Sequence, residues 1–105
     1  MTQEAVSIVV AHDNVDVADV LARELQAAGY RVSTAYCAEE AVLLVERLQP
    51  RCVVLDIAMP GIDGADLAEC LRHRFKDTVN LIAVTGLPPE DRRAQHTASV
   101  VDHYL

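Results

Sequence analysis

Four short β-branched runs, each followed by residues that recur at helical spacing, restrict this chain to an alternating α/β fold. Val6-Ser7-Ile8-Val9-Val10-Ala11 is short and apolar, the pattern of a buried strand. His12-Asp13-Asn14 breaks it. Val17, Val20, Leu21, Leu25 and Ala28 then fall on one helical face, and Gly29 supplies the stop. Tyr30 to Ala35 reads as a second strand, polar enough to lie at an edge. Ala41, Leu44, Val45 and Leu48 mark a second helix, closed by Pro50. Arg51 to Asp56 is a third strand and the most continuously apolar. Leu67, Cys70 and Leu71 predict a third helix from near Asp63, and Asn80 to Thr85 a fourth strand. Pro88-Pro89-Glu90-Asp91 has the form of a helix start, with early prolines and acids in the first turn. That fourth helix offers little more than Ala94 and Ala98 as an apolar face, so it is expected to be weakly held and mobile. Val100 to Leu105 reads as a last strand.

Strands alternating with helices imply a parallel sheet with right-handed crossovers. The predicted class is α/β: a doubly wound parallel sheet of five strands, with no helix after the last strand. A chain of 105 residues makes one domain with a small core. Aromatics are only 4 % and Trp is absent, so aliphatic side chains must fill that core. A net charge of −7 argues against nucleic acid and against an anionic membrane surface as partners. Cys37, Cys52 and Cys70 have no paired spacing, which speaks against a disulfide framework or a zinc site. No signal-peptide pattern and no membrane-length apolar run is present, so a cytoplasmic protein is the expectation.

In an open α/β sheet the chemistry lies outside the carboxyl ends of the strands. His12 and Asp13 end the first strand, Asp56 ends the third and Thr85 ends the fourth. If the first and third strands are neighbours, as in a 2-1-3-4-5 sheet, Asp13 and Asp56 face each other. Two carboxylates that close repel unless a cation intervenes. Mg²⁺ suits such a pair, because it takes carboxylate and carbonyl oxygens and keeps several waters. A site of that kind serves phosphoryl transfer, with Asp56 as nucleophile.

These residues resemble the response-regulator receiver domain. The likeness rests on Ile8-Val9-Val10-Ala11-His12-Asp13-Asn14, on Val53 to Gly64 with its Met59-Pro60-Gly61-Ile62-Asp63-Gly64 turn, on Ala83-Val84-Thr85-Gly86 and on Val101-Asp102-His103-Tyr104-Leu105. The resemblance implies a flavodoxin-like, doubly wound sheet of five strands in the order 2-1-3-4-5 with the last helix absent, and a signalling domain that is not an enzyme. Asp56 corresponds to the phosphoacceptor, filled from a histidine kinase or a histidine phosphotransfer protein. Asp13 and Asp56 correspond to metal ligands, with the Ala58 backbone carbonyl as the third protein ligand. Thr85 and Tyr104 correspond to the switch pair, and Met59, Pro60 and Gly61 to the loop that shapes the site.

The chain departs from that family in three ways. His12 stands where the family carries the first of two acids, which places an imidazole in the outer shell of the metal and implies weak Mg²⁺ binding. No residue matches the family's site lysine; Lys76, the only lysine, falls in another loop. The family's last helix is missing, so the expectation is a receiver domain over residues 1–105 truncated after its fifth strand. An uncovered sheet face would invite self-association.

Plainer roles stand beside these. Asp56 could be a turn acid, Asp13 the cap of the first helix, Thr85 a strand-end residue and Tyr104 a core residue. Arg72, His73, Arg74 and Lys76 read as a solvated loop, His73, His96 and His103 as solvent-facing, and Cys52 as a small core residue. Two rival functions follow: a degenerate receiver that docks partners without phosphorylation, and a Mg²⁺-dependent phosphohydrolase. The second is disfavoured, since such enzymes commonly use an acid two residues after the nucleophile, and position 58 is Ala.

Overall fold

The computed structural model describes residues 6–56, 64–84 and 101–104, together with Arg92. The order of elements is β1 (Ser7–Ala11), α1 (Val15–Ala27), β2 (Arg31–Ala35), α2 (Ala38–Leu48), β3 (Cys52–Asp56), α3 (Gly64–Phe75), a one-turn 3-10 helix (Lys76–Thr78), β4 (Asn80–Val84) and β5 (His103–Tyr104). The sheet order is β2-β1-β3-β4-β5, and every pairing is parallel. Four strands have five residues each, whereas β5 has two among the described residues and pairs through Ile82↔His103 and Ala83↔Tyr104. The first residues read into three strands, Val6, Tyr30 and Arg51, do not join them. Thr85, Val100 and Leu105, read at strand ends, lie outside the described residues. The fourth helix expected after Pro88 lies outside the described residues.

Side-chain alternation along the strands divides the core into two layers. Val9, Ala11, Val53, Leu55, Leu81 and Ala83 point to one face, where Ala41 and Val45 of α2 and Leu67, Ala68 and Leu71 of α3 cover them. Leu55, Leu71 and Leu81 are the largest fully buried side chains. Each stabilises the fold by roughly 1.5–3 kcal/mol through burial alone. Ile8 and Val10 point to the other face, under Ala18 of α1. Cys52 and Val54 are only half-buried there, and Val84 is exposed.

Three helix faces differ from their predicted ones. In α1 the buried positions are Ala18 and Ala22, with Leu21 and Leu25 half-buried, whereas Val17 and Val20 are exposed. Small alanines let the helix approach the sheet, and this rotates the valines outward. In α2, Leu48 of the last turn is exposed. In α3, Ala68 takes the buried place and Cys70 is exposed.

Gly29 ends α1 as read, at φ +101, a backbone region that L side chains avoid. Gly29 N–H donates to the Gln26 carbonyl at 3.0 Å and Tyr30 N–H to the Leu25 carbonyl at 3.1 Å, the paired bonds of a Schellman stop. In α2 the last helical residue is Leu48, and Gln49 takes the left-handed conformation before Pro50. All three cysteines are free. Among the described residues no helix is long and apolar enough to cross a membrane.

Candidate functional site

Sheet register builds the site. Ala11 pairs with Leu55 across β1 and β3, so the next residue on each chain, His12 and Asp56, arrives level at the carboxyl edge. His12 N–H also donates to the Ala35 carbonyl of β2 at 3.0 Å, which extends β1's pairing by one residue and fixes the ring's origin. From there His12 Nε2 lies 2.9 Å from Asp56 Oδ2, while Nδ1 lies 3.5 Å from Asp13 Oδ1. The imidazole therefore stands between the two acids predicted to face each other. It is in direct contact with Asp56. All three side chains are partly shielded, at 16 %, 26 % and 19 % exposure for His12, Asp13 and Asp56.

Asn14 sets the state of that ring. Its backbone N–H donates to His12 Nδ1 at 3.0 Å, so Nδ1 is an acceptor and Nε2 is the nitrogen next to Asp56. The Asn14 side-chain oxygen meanwhile accepts from the Val17 N–H at 3.2 Å and caps α1. Asn14, not Asp13, is the helix cap. The signal was present in the sequence, since Asn immediately before a helix is a preferred cap, but the two neighbouring residues compete for that role.

An apolar cavity of about 210 Å³ opens beside the cluster, lined by Val10, Ala11, Val17, Leu21, Val54, Leu55 and Val84 together with His12 and Asp56. It gives the His12–Asp56 contact one apolar, low-dielectric wall. Thr85, Ala58, Met59, Pro60 and Gly61 lie outside the described residues. Tyr104 has its backbone in β5, but its side chain lies outside them as well.

At the opposite edge of the sheet a second polar cluster forms that the sequence did not disclose. Arg72 Nη2 contacts Asp102 Oδ2 at 2.5 Å, and Arg72 Nη1 donates to the Lys76 and Val79 carbonyls at 2.7 and 3.2 Å. The same Asp102 oxygen accepts from the Leu81 N–H at 2.8 Å, and Asp102 N–H donates to the Leu81 carbonyl. The residues read as a solvated basic loop thus lie at the end of α3 and in the following turn, and Arg72 ties α3 to the start of β5. His73 and His103 are exposed as expected, and His96 lies outside the described residues. Desolvation raises the affinity of Asp102 for a proton. The Leu81 N–H and the hydrogen bond and charge of Arg72 outweigh it, with His103 assisting, so the carboxyl is held below its ordinary range. Burial, with the charge of Asp102, pushes the Cys52 thiol up, which fits a packing role and not a nucleophile.

For a metal ion, Asp13 and Asp56 are the hard oxygen donors that Mg²⁺ takes, and their chemistry fits. Their arrangement is less open than the sequence implied, because His12 Nε2 lies 2.9 Å from Asp56 Oδ2. Among the described residues no group of three or more His, Cys, Asp or Glu side chains is disposed to hold a metal ion.

A parallel sheet in the order 2-1-3-4-5, with acids gathered at the carboxyl ends of β1 and β3, defines a flavodoxin-like α/β domain whose chemistry sits at one sheet edge. The profile of the response regulator receiver domain matches residues 8–105, and the chain belongs to that family. An uncharacterised 14.6 kDa protein of Leptolyngbya boryana is 35 % identical over 105 residues, covering 99 % of this chain and 80 % of that one. Among solved structures, the response regulator TrrA of Thermotoga maritima, in complex with Mg²⁺-BeF, is 32 % identical with a TM-score of 0.83, over 95 % of this chain and 84 % of TrrA. A CheY-like receiver domain from Methanospirillum hungatei superposes with a TM-score of 0.87 over 97 % of this chain and 81 % of that one; at 22 % identity it bears on the fold alone. The family is generally a regulatory phosphoacceptor domain of two-component signalling and not a classical enzyme.

Proposed function

We propose that this domain accepts a phosphoryl group on Asp56 from a phosphohistidine of a histidine kinase or a histidine phosphotransfer protein. The observation that carries the reading is the placement of Asp56 at the end of β3, level with His12 and beside Asp13, in a chain of the receiver family. Asp56 supplies the attacking carboxylate oxygen. A P–O bond forms as the P–N bond of the donor breaks, and the departing imidazole takes up a proton. Asp13 and Asp56, with the Ala58 carbonyl, would hold Mg²⁺, which supplies neutralisation and alignment of the phosphoryl oxygens. Binding of a metal-fluoride complex by TrrA supports that assignment by likeness.

The acyl phosphate adds about −1.5 to −2 charge and new acceptor oxygens at the sheet edge. Thr85 then donates its hydroxyl to a phosphate oxygen, Tyr104 follows, and the surface nearby changes its affinity for a partner. The protein works in the cytoplasm under this reading. Self-association uses the half-covered face of Cys52, Val54, Ile82 and Val84, and sedimentation velocity measures it.

The test is incubation with a small-molecule phosphoryl donor and Mg²⁺, read by intact mass. Wild type gains one phosphoryl group that alkali removes. Asp56→Asn gains none, and labelling that survives this change overturns the reading.

One observation favours a second reading. The imidazole of His12 crowds the nucleophile, with Nε2 2.9 Å from Asp56 Oδ2, as a degenerate receiver that docks partners without phosphorylation would allow. Absence of labelling together with absence of Mg²⁺ binding at millimolar concentration selects that reading.

A further inference from the structure

We infer that Asp102 is the register lock of β5: its side chain fills a rung of the β4–β5 ladder that a backbone carbonyl fills in ordinary strand pairing, and so fixes which residue stands beside Ala83. Position 104 matters as a switch only under the reading proposed above; the lock stands without it.

A strand as short as β5 needs such a device. Among the described residues it pairs with β4 at two places, Ile82↔His103 and Ala83↔Tyr104. β1, β3 and β4 each run for five residues and bury apolar side chains, so burial specifies their register. Two rungs hold register weakly. A slip of one residue exchanges the faces of every position on a strand, position 104 included.

Asp102 supplies the missing constraint. Its N–H donates to the Leu81 carbonyl at 2.9 Å, and its Oδ2 accepts from the Leu81 N–H at 2.8 Å. Together the two bonds grip both backbone polar groups of one β4 residue. The preceding Asn80 N–H points the other way, to the Arg51 carbonyl at 2.9 Å, so Asp102 finds no equivalent partner one residue back. Arg72 then steadies the carboxylate. Its Nη2 donates to the same Oδ2 at 2.5 Å, while its Nη1 donates to the Lys76 and Val79 carbonyls. Asp102 is thereby held against α3 and the turn that leads into β4. It is a positioning residue, acting through the register of β5. One oxygen serves both donors, so the side-chain amide of asparagine can replace the carboxylate, whereas alanine cannot.

The experiment is amide hydrogen exchange by NMR on the whole chain, for wild type, Asp102→Asn and Asp102→Ala. The Asp102 side chain is 37 % exposed, so its removal opens no core cavity. In Asp102→Ala the Leu81 N–H is expected to exchange roughly ten- to a hundredfold faster, as for the loss of one hydrogen bond to a charged acceptor. The backbone contact between Ala83 and Tyr104 is expected to vanish from the cross-strand spectra of that variant, and Asp102→Asn to keep both features. An alanine variant with the protection and the contact of wild type overturns the lock. So does an asparagine variant that loosens as far as the alanine one. In wild type itself, a scalar coupling across the hydrogen bond is expected from the Leu81 nitrogen to the Asp102 carboxylate carbon; its absence overturns the lock without any variant.

Treatment with a small-molecule phosphoryl donor and Mg²⁺ separates the lock from the switch. Tyr104 ring resonances are expected to shift on labelling of Asp56 in wild type and Asp102→Asn, and to stay fixed in Asp102→Ala. A ring that shifts equally in Asp102→Ala overturns its dependence on the lock. A wild-type ring that stays fixed through labelling overturns the switch reading, while the exchange rates still decide the lock.

Discussion

The two edges of the sheet each carry one polar cluster, and they are built in opposite ways. At the amino edge, Arg72 and Asp102 satisfy each other and three backbone groups: the Lys76 and Val79 carbonyls and the Leu81 N–H. Cation and anion are matched, so the cluster is a fastening between α3, β4 and β5. At the carboxyl edge, His12 stands beside two acids of the same sign. The amino-edge cluster holds structure, whereas the carboxyl-edge cluster gathers the acids proposed to take a cation. The two are separated by the length of the strands.

That contrast can be broken by substitution, and the largest expected effect lies in the layer between the clusters. Leu71→Ala opens a cavity at a fully buried position under α3 and costs about 2–5 kcal/mol by urea unfolding. A cost under 1 kcal/mol would mean that α3 does not hold the sheet. At the amino edge, Arg72→Ala leaves the Val79 carbonyl and the Asp102 carboxylate short of partners and costs about 1–2 kcal/mol. Labelling of Asp56 by a small phosphoryl donor is expected to persist in this variant; its loss would show that the two edges are coupled.

Acid sharpens the same comparison. The Asp102 carboxyl is held below its ordinary range in the folded protein, so its contribution to stability is complete at neutral pH. It fades as the pH falls below the unfolded carboxylate value of about 4 and through the lower folded one. Asp102→Asn is expected to flatten the acid limb of stability against pH and to leave neutral pH behaviour of Asp56 untouched. A limb of unchanged steepness would remove Asp102 from the fastening. The smallest effect is expected at the site itself. Asn14→Ala loses the α1 cap, at about 1 kcal/mol, since its backbone N–H to His12 survives the change. A much larger loss would show that the cap also governs the ring.

The strand runs were legible because burial on two faces demands continuous apolar, β-branched segments, and four of the strands formed within one residue of their predicted limits. Helix faces were less legible. In α1 the pattern Val17, Val20, Leu21 competes with Ala18, Leu21, Ala22, and close packing on the sheet favoured the small residues. Asp56 and Asp13 could be picked out because strand ends gather at one edge. The role of His12 could not, because only the β1–β3 register brings its ring level with Asp56. Arg72 and Asp102 were beyond reach for a similar reason: they are 30 residues apart, and neither carries a local motif.

The central claim is that Asp56, at the carboxyl edge of the sheet, receives a phosphoryl group. Intact mass after treatment with a small-molecule phosphoryl donor and Mg²⁺ tests it most directly. Wild type is predicted to gain one alkali-labile phosphoryl group and Asp56→Asn none, with the fold of both confirmed by circular dichroism. Equal labelling of the two proteins, or none of the folded wild type, would contradict it.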